Sequence, residues 1–161
     1  MKYRSDFVTN SSSSSFIVAY KNSSEMVKDL RQFAKKYEND EWNRQYSDVI
    51  YDIFKNKITY TEALKIYTES MSDRIHYMLS GGRAYYQYQE KYGGHKNWVN
   101  SAEFKKMHKE LLTQEVEKFK KSVNPRGYFA FLTYSDSDGF YDVEANLQDM
   151  LKGLCIKFDN R

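Results

Sequence analysis

The stretch Arg126–Ala145, RGYFAFLTYSDSDGFYDVEA, decides the fold of this 161-residue chain. Its first half, Tyr128–Tyr134, is an almost unbroken apolar run, and apolar residues resume at Phe140 after the segment Ser-Asp-Ser-Asp-Gly. Two strand-like runs joined by a short segment with glycine are typical of a β-hairpin. Because the first run is apolar on both faces, it predicts an inner strand of a sheet that helices cover.

Two more runs predict strands, and amphipathic segments fill the space between them. Phe16–Tyr20 and Leu154–Phe158 have the apolar and β-branched composition of strands. Capping-box patterns begin at Asn22, Thr59 and Asn100, and each precedes apolar residues at the helical period. The sequence therefore predicts an α+β fold with a mainly antiparallel sheet of about four strands, one N-terminal and three C-terminal. About four helices, inserted at about residues 22–124, are expected to pack on that sheet.

Length and composition indicate one domain over residues 1–161 in a reducing compartment. The chain has a single cysteine, Cys155, which excludes an internal disulfide framework and favours an intracellular setting. No run of about 18 apolar residues is present, so no membrane association is predicted. We expect a cytoplasmic protein.

A serine tract precedes the first predicted strand and has two interpretations. It could be a flexible tail, as serine-rich segments often are. It could instead be an ordered loop whose backbone N–H groups and hydroxyls bind an anion or a partner. The residues concerned are Asn10, Ser11, Ser12, Ser13, Ser14 and Ser15.

The acidic residues Asp136 and Asp138 lie in the predicted hairpin turn. Asp-x-Asp-Gly resembles part of a calcium loop, but the positions that would complete the loop hold Tyr134 and Ala145. The pattern is more typical of a turn in which Asp and Ser side chains bond their own backbone. No metal site is predicted, and no cofactor motif is present in the sequence.

A tyrosine-rich segment, residues 83–92, lies between two glycine pairs. Tyr85, Tyr88 and Tyr92 would share one face of a helix there. This face either packs on the core or forms an exposed surface that contacts a protein partner. No nucleic-acid binding is predicted, because glutamates interrupt the lysines of residues 105–121 and the net charge is only +3.

The N-terminus resembles an uncharacterised group of bacterial and phage-encoded proteins. The similarity covers Arg4, Phe7-Val-Thr and Asn10 followed by five serines and Phe16, and it extends to the Asp136-Ser-Asp138-Gly hairpin. No activity is established for the group, so the resemblance implies no catalytic residues. It implies a bacterial or phage source and an ordered loop over Asn10–Phe16.

These observations favour a non-enzymatic binding protein with a protein partner. In view of the resemblance, it would be a phage or mobile-element accessory factor that engages a host protein. The alternative is an enzyme that binds a small ligand or a phosphoryl group. Its pocket would be formed by the serine loop together with Asp136 and Asp138.

Overall fold

The computed structural model describes residues 13–40, 43–81, 83–135 and 140–160. These residues form an α+β fold with a four-stranded antiparallel sheet, as the sequence predicts. Of their seven helices, six lie between the first strand and the long C-terminal strand, where the sequence predicts about four. The chain divides into two compact units, one made of Met1–Ala63 with Val123–Arg161 and the other of Leu64–Ser122. That residues 1–161 form one domain stays a prediction. No helix in the described part is long and apolar enough to span a membrane.

The chain begins with a strand, continues through helices and a two-residue strand, and ends with a strand, a helix and a strand. The strands are β1 (Ser13–Tyr20), β2 (Lys57–Ile58), β3 (Tyr128–Ser135) and β4 (Leu154–Asn160). The first helices are α1 (Ser23–Lys36), α2 (Asn43–Lys55) and α3 (Tyr60–Gly81), followed by α4 (Arg83–Tyr92). The last helices are α5 (His95–Asn100), α6 (Ala102–Ser122) and α7 (Tyr141–Met150).

The sheet has the order β2-β3-β1-β4, so β3 is an inner strand, as its two apolar faces predict. β1 pairs with β3 along its whole length, from Ser13 opposite Ser135 to Tyr20 opposite Tyr128. Its other edge pairs with β4, with Ile17 opposite Ile156. The fourth strand, β2, has two residues and lies beside Phe129 and Ala130 of β3.

One face of the sheet and the helices α1, α2 and α7 enclose the larger core. Alternate residues of a strand point to the same face, which is why every second residue of β1 and β3 belongs to this core. Helices contribute residues three or four positions apart, such as Val49 and Ile53 or Val143 and Leu147, all fully buried. The sheet contributes Phe16, Val18, Tyr20, Tyr128, Ala130, Leu132, Tyr134 and Cys155.

The second arm of the predicted hairpin is wrong, because residues 141–150 form the helix α7. The alternating pattern after Phe140 also fits a helix, in which Val143, Leu147 and Leu151 line one side and enter the core. Phe140 stacks on Tyr134, with ring centroids 4.8 Å apart. A short run that fits both periods is decided by the surface on which it packs.

The unit Leu64–Ser122 has its own small core around Trp98, which is fully buried. The Tyr88 ring stacks on the Trp98 indole at 4.1 Å, and Phe104 meets the indole edge-on at 5.3 Å. The indole Nε1 donates a hydrogen bond to the carbonyl oxygen of Leu79, at 2.9 Å. This core therefore links residues of α3, α4, α5 and α6.

Three buried groups in the larger core predict that stability falls at high pH. Burial raises the pKa of the Cys155 thiol to about 12. Burial and then the hydrogen bond with Asp29 raise the pKa of Tyr20, and burial and then the charge of Asp52 raise that of Tyr134. In the unfolded chain the pKa is about 8.5 for Cys and about 10 for Tyr.

A raised pKa contributes stability below the unfolded value, and this contribution is lost as the pH rises towards the folded value. We therefore expect the free energy of unfolding to fall from about pH 8.5 and more steeply above about pH 10. The limiting slope is about 1.4 kcal/mol per pH unit for each proton that the unfolded chain has lost. Urea unfolding from pH 7 to 10.5 measures this, and Cys155→Ala should remove the earliest part of the decline. A free energy that does not change over this range would contradict the prediction.

Candidate functional site

The last three residues of the serine tract belong to the sheet. Strand β1 begins at Ser13, so the prediction that the strand starts at Phe16 and follows a loop is wrong for Ser13, Ser14 and Ser15. The Ser14 and Ser15 side chains are buried, and Ser15 Oγ lies 3.3 Å from Thr133 Oγ1 on the neighbouring strand. Asn10, Ser11 and Ser12 lie outside the described residues.

The predicted acidic turn also lies outside the described residues, since Asp136 and Asp138 fall in the gap between β3 and Phe140. Whether they approach the serine tract therefore stays a prediction. Among the residues that the structure describes, no group of three or more His, Cys, Asp or Glu side chains is placed to hold a metal ion.

Two of the three predicted tyrosines pack inside their own unit. Tyr88 and Tyr92 lie against Trp98, with ring centroids 4.1 and 5.3 Å from it, as the core-packing interpretation predicts. The Tyr92 hydroxyl donates a hydrogen bond to Glu103, which also accepts from Lys91 Nζ at 2.7 Å. The side chain of Tyr85 is outside the description.

Other apolar side chains of this unit are exposed at the junction of α3 and α4. Tyr77 is 78% exposed, Met78 51% and Tyr86 73%. Tyr77 lies one turn before Gly81, with its ring beside that glycine, and Tyr86 lies in the first turn of α4. We refer to these three exposed residues together as the junction surface. The sequence showed that Tyr77 and Met78 stand next to each other, but their exposure required the tertiary structure.

One hydrogen bond, between β3 and the residue that follows α2, shows to which side the backbone groups of β3 point. Phe131 N–H donates to the carbonyl oxygen of Asn56 at 3.1 Å, so it points away from β1 and towards the β2 side. In an antiparallel strand, backbone groups alternate between the two neighbours. The N–H and C=O groups of Phe129, Phe131 and Thr133 therefore all point to the β2 side.

The sheet has an open edge at Thr133 because β2 is so short. If β2 extended further towards its N-terminal side in the same register, its backbone would next pair with Thr133. The chain before Asn56 is instead the helix α2. Within the described ranges, neither the carbonyl of Phe131 nor the N–H and C=O of Thr133 has a hydrogen-bond partner on this side. The Thr133 side chain is exposed. We call Phe131–Thr133 the open edge.

Two carboxylates of α2 lie near Tyr134, the residue of β3 that follows Thr133. The Tyr134 hydroxyl donates to Asp52 Oδ2 at 3.3 Å. Asp48 precedes Asp52 by one helical turn, and its charge also acts on the Tyr134 hydroxyl. In the part of the chain that the structure describes, no Lys, Arg or His nitrogen lies within 4.0 Å of either carboxylate. Within the described ranges, neither carboxylate therefore forms an ion pair.

The opposite edge of the sheet differs, because a side chain caps it. Ile17 lies opposite Phe131 of β3, whose N–H and C=O groups point away from β1. The backbone groups of Ile17 therefore point towards β4. Cys155 of β4 then points its backbone outwards, and Gln148 Nε2 donates to the Cys155 carbonyl at 3.0 Å. Capping of this kind is one way in which proteins block strand addition at an edge.

Comparison of the chain with protein-family models, with curated proteins and with solved structures finds no match. Two surfaces are candidate binding sites: the junction surface in one unit and the open edge in the other.

Proposed function

We propose that this chain is a non-enzymatic binding protein that engages a protein partner. The observation that carries the proposal is the junction surface, where Tyr77, Met78 and Tyr86 are each more than half exposed. Tyr and Met are enriched in the cores of protein interfaces, because they supply large contact areas that lose water on binding. The resemblance of the N-terminus supports a phage or mobile-element accessory factor with a bacterial host protein as the partner.

The alternative, an enzyme with a phosphoryl pocket, receives less support. Ser14 and Ser15 bury their side chains within the sheet, so these two hydroxyls are poorly placed to surround a soluble anion. Ser13 also belongs to β1, and Asn10, Ser11, Ser12, Asp136 and Asp138 lie outside the described ranges, so this alternative stays a prediction.

The test is capture of a partner from a bacterial lysate, followed by reconstitution with both proteins purified. Isothermal titration calorimetry then compares the wild type with the double variant Tyr77→Ser/Tyr86→Ser. Replacement of two aromatic residues at the centre of an interface is expected to weaken binding by at least about tenfold. Neither side chain belongs to the core around Trp98, and the melting temperature of the variant checks that it remains folded.

Tyr51→Ser is the matched control, because Tyr51 is 61% exposed but lies on α2, in the other unit. It should leave the affinity unchanged. An unchanged dissociation constant in the double variant would exclude the junction surface as the binding site. Failure of any captured protein to form a stoichiometric complex would contradict the proposed function itself.

A further inference from the structure

The open edge offers a second binding site, on the other unit, which does not depend on the junction surface. Thr133 is exposed, and within the described ranges its N–H and C=O groups have no partner on this side. Unpaired edges are the places at which proteins accept an additional strand from a partner. Within the described residues the chain does not extend β2 to this position, because α2 ends at Lys55, directly before β2.

The charge beside the edge selects the chemistry of the added strand. Alternate side chains of a strand at this position project to the sheet face on which α2 packs. There they approach Asp52, which bonds Tyr134, and Asp48 one turn away. A Lys or Arg side chain would compensate these carboxylates, whereas an acidic side chain would be repelled.

A second copy of this chain fits the edge poorly. Symmetric pairing of two open edges would bring Asp48 and Asp52 of both copies to the same interface. Like charges opposed in this way disfavour the pairing. We propose that the open edge binds an extended, basic segment of a partner protein by β-strand addition, with Asp48 and Asp52 as the specificity-determining residues.

The probe is a fluorescein-labelled hexapeptide of alternating lysine and valine, compared with a hexapeptide of alternating glutamate and valine. The 161-residue chain carries a net charge of +3, so nonspecific attraction would favour the acidic peptide. We expect fluorescence anisotropy to show the opposite preference. The lysine peptide should also shift the backbone amide resonance of Thr133 and protect it from hydrogen exchange.

Thr133→Pro separates strand addition from other modes of binding. Proline lacks an N–H group, and here the missing group is one that points away from β1, so the fold should tolerate it. The affinity for the lysine peptide should fall by about tenfold or more, because a donor is lost and the edge is blocked. Thr133→Ala, which keeps the N–H, should bind like the wild type. Leu132→Pro removes a hydrogen bond to β1 and should unfold the protein. This result would confirm that the N–H of Leu132 points to β1 and that of Thr133 points away from it.

Asp48→Lys tests the charge, because Asp48 is exposed. It should weaken binding of the lysine peptide and strengthen binding of the glutamate peptide. Absence of lysine-peptide binding at about 1 mM would overturn the proposal, as would equal affinity of the wild type and Thr133→Pro. A dimer in solution that Thr133→Pro dissociates would show that a second copy occupies the edge, and would overturn the choice of partner.

Discussion

Replacement of Trp98 by alanine is expected to cost about 3–5 kcal/mol of the free energy of unfolding. The indole is fully buried and contacts Tyr88, Tyr92 and Phe104, so its removal leaves a cavity in a core that has few other residues. It also leaves the Leu79 carbonyl without its donor. Hydrogen exchange with mass spectrometry should show the largest loss of protection in α4 and α5.

Trp98→Phe is the matched control, since it keeps an aromatic ring beside Tyr88 but removes the Nε1 donor. We expect it to lower the free energy of unfolding by less than Trp98→Ala does, because the phenylalanine ring fills part of the cavity that alanine leaves empty. If both variants unfold at the wild-type urea concentration, Trp98 does not anchor this core.

Replacement of Asp29 by alanine is expected to cost about 2–4 kcal/mol, the second large effect. Asp29 is a buried carboxylate on α1 that joins three parts of the chain. Its Oδ2 accepts hydrogen bonds from the Tyr20 hydroxyl and from Lys152 N–H, both at 2.8 Å. Removal of the carboxylate leaves these two donors unsatisfied, and a buried unsatisfied group costs more than a missing bond.

Tyr20→Phe provides the control, because it removes one donor and leaves the carboxylate bonded to Lys152. A cost of about 1 kcal/mol is expected, and the double variant Asp29→Ala/Tyr20→Phe should be less destabilised than the sum of the two. Urea unfolding of the four proteins measures the coupling. Strict additivity would show that the two side chains do not interact in solution.

Local signals predicted the helix ends well where the cap is a contact between near neighbours. Asn22 accepts from the Glu25 N–H, and Thr59 and Glu62 bond each other reciprocally, as their spacing predicts. The third cap differs by one residue, because Ser101 rather than Asn100 accepts from Phe104 N–H. Helix α5, just before it, has six residues, which is too few for a period to be visible in the sequence.

The candidate site was less predictable than the fold. The open edge exists because β2 ends after two residues, and a pairing of that length has no signature in a single sequence. Asp48 and Asp52 are spaced by one helical turn in the sequence, yet nothing in it shows that they lie beside β3. Tyr88 and Tyr92 looked like candidates for binding, and their partner Trp98 is on another helix.

The sequence by itself determined the α+β class, the inner position of β3 and most helices, because periodicity and caps are properties of neighbouring residues. Only the tertiary structure decided that residues 141–150 form a helix and that the serine tract continues into β1. Both segments have local preferences too weak to choose a state. Burial of Val143 and Leu147 under the sheet settles the first, and pairing of Ser13–Ser15 with β3 and β4 settles the second.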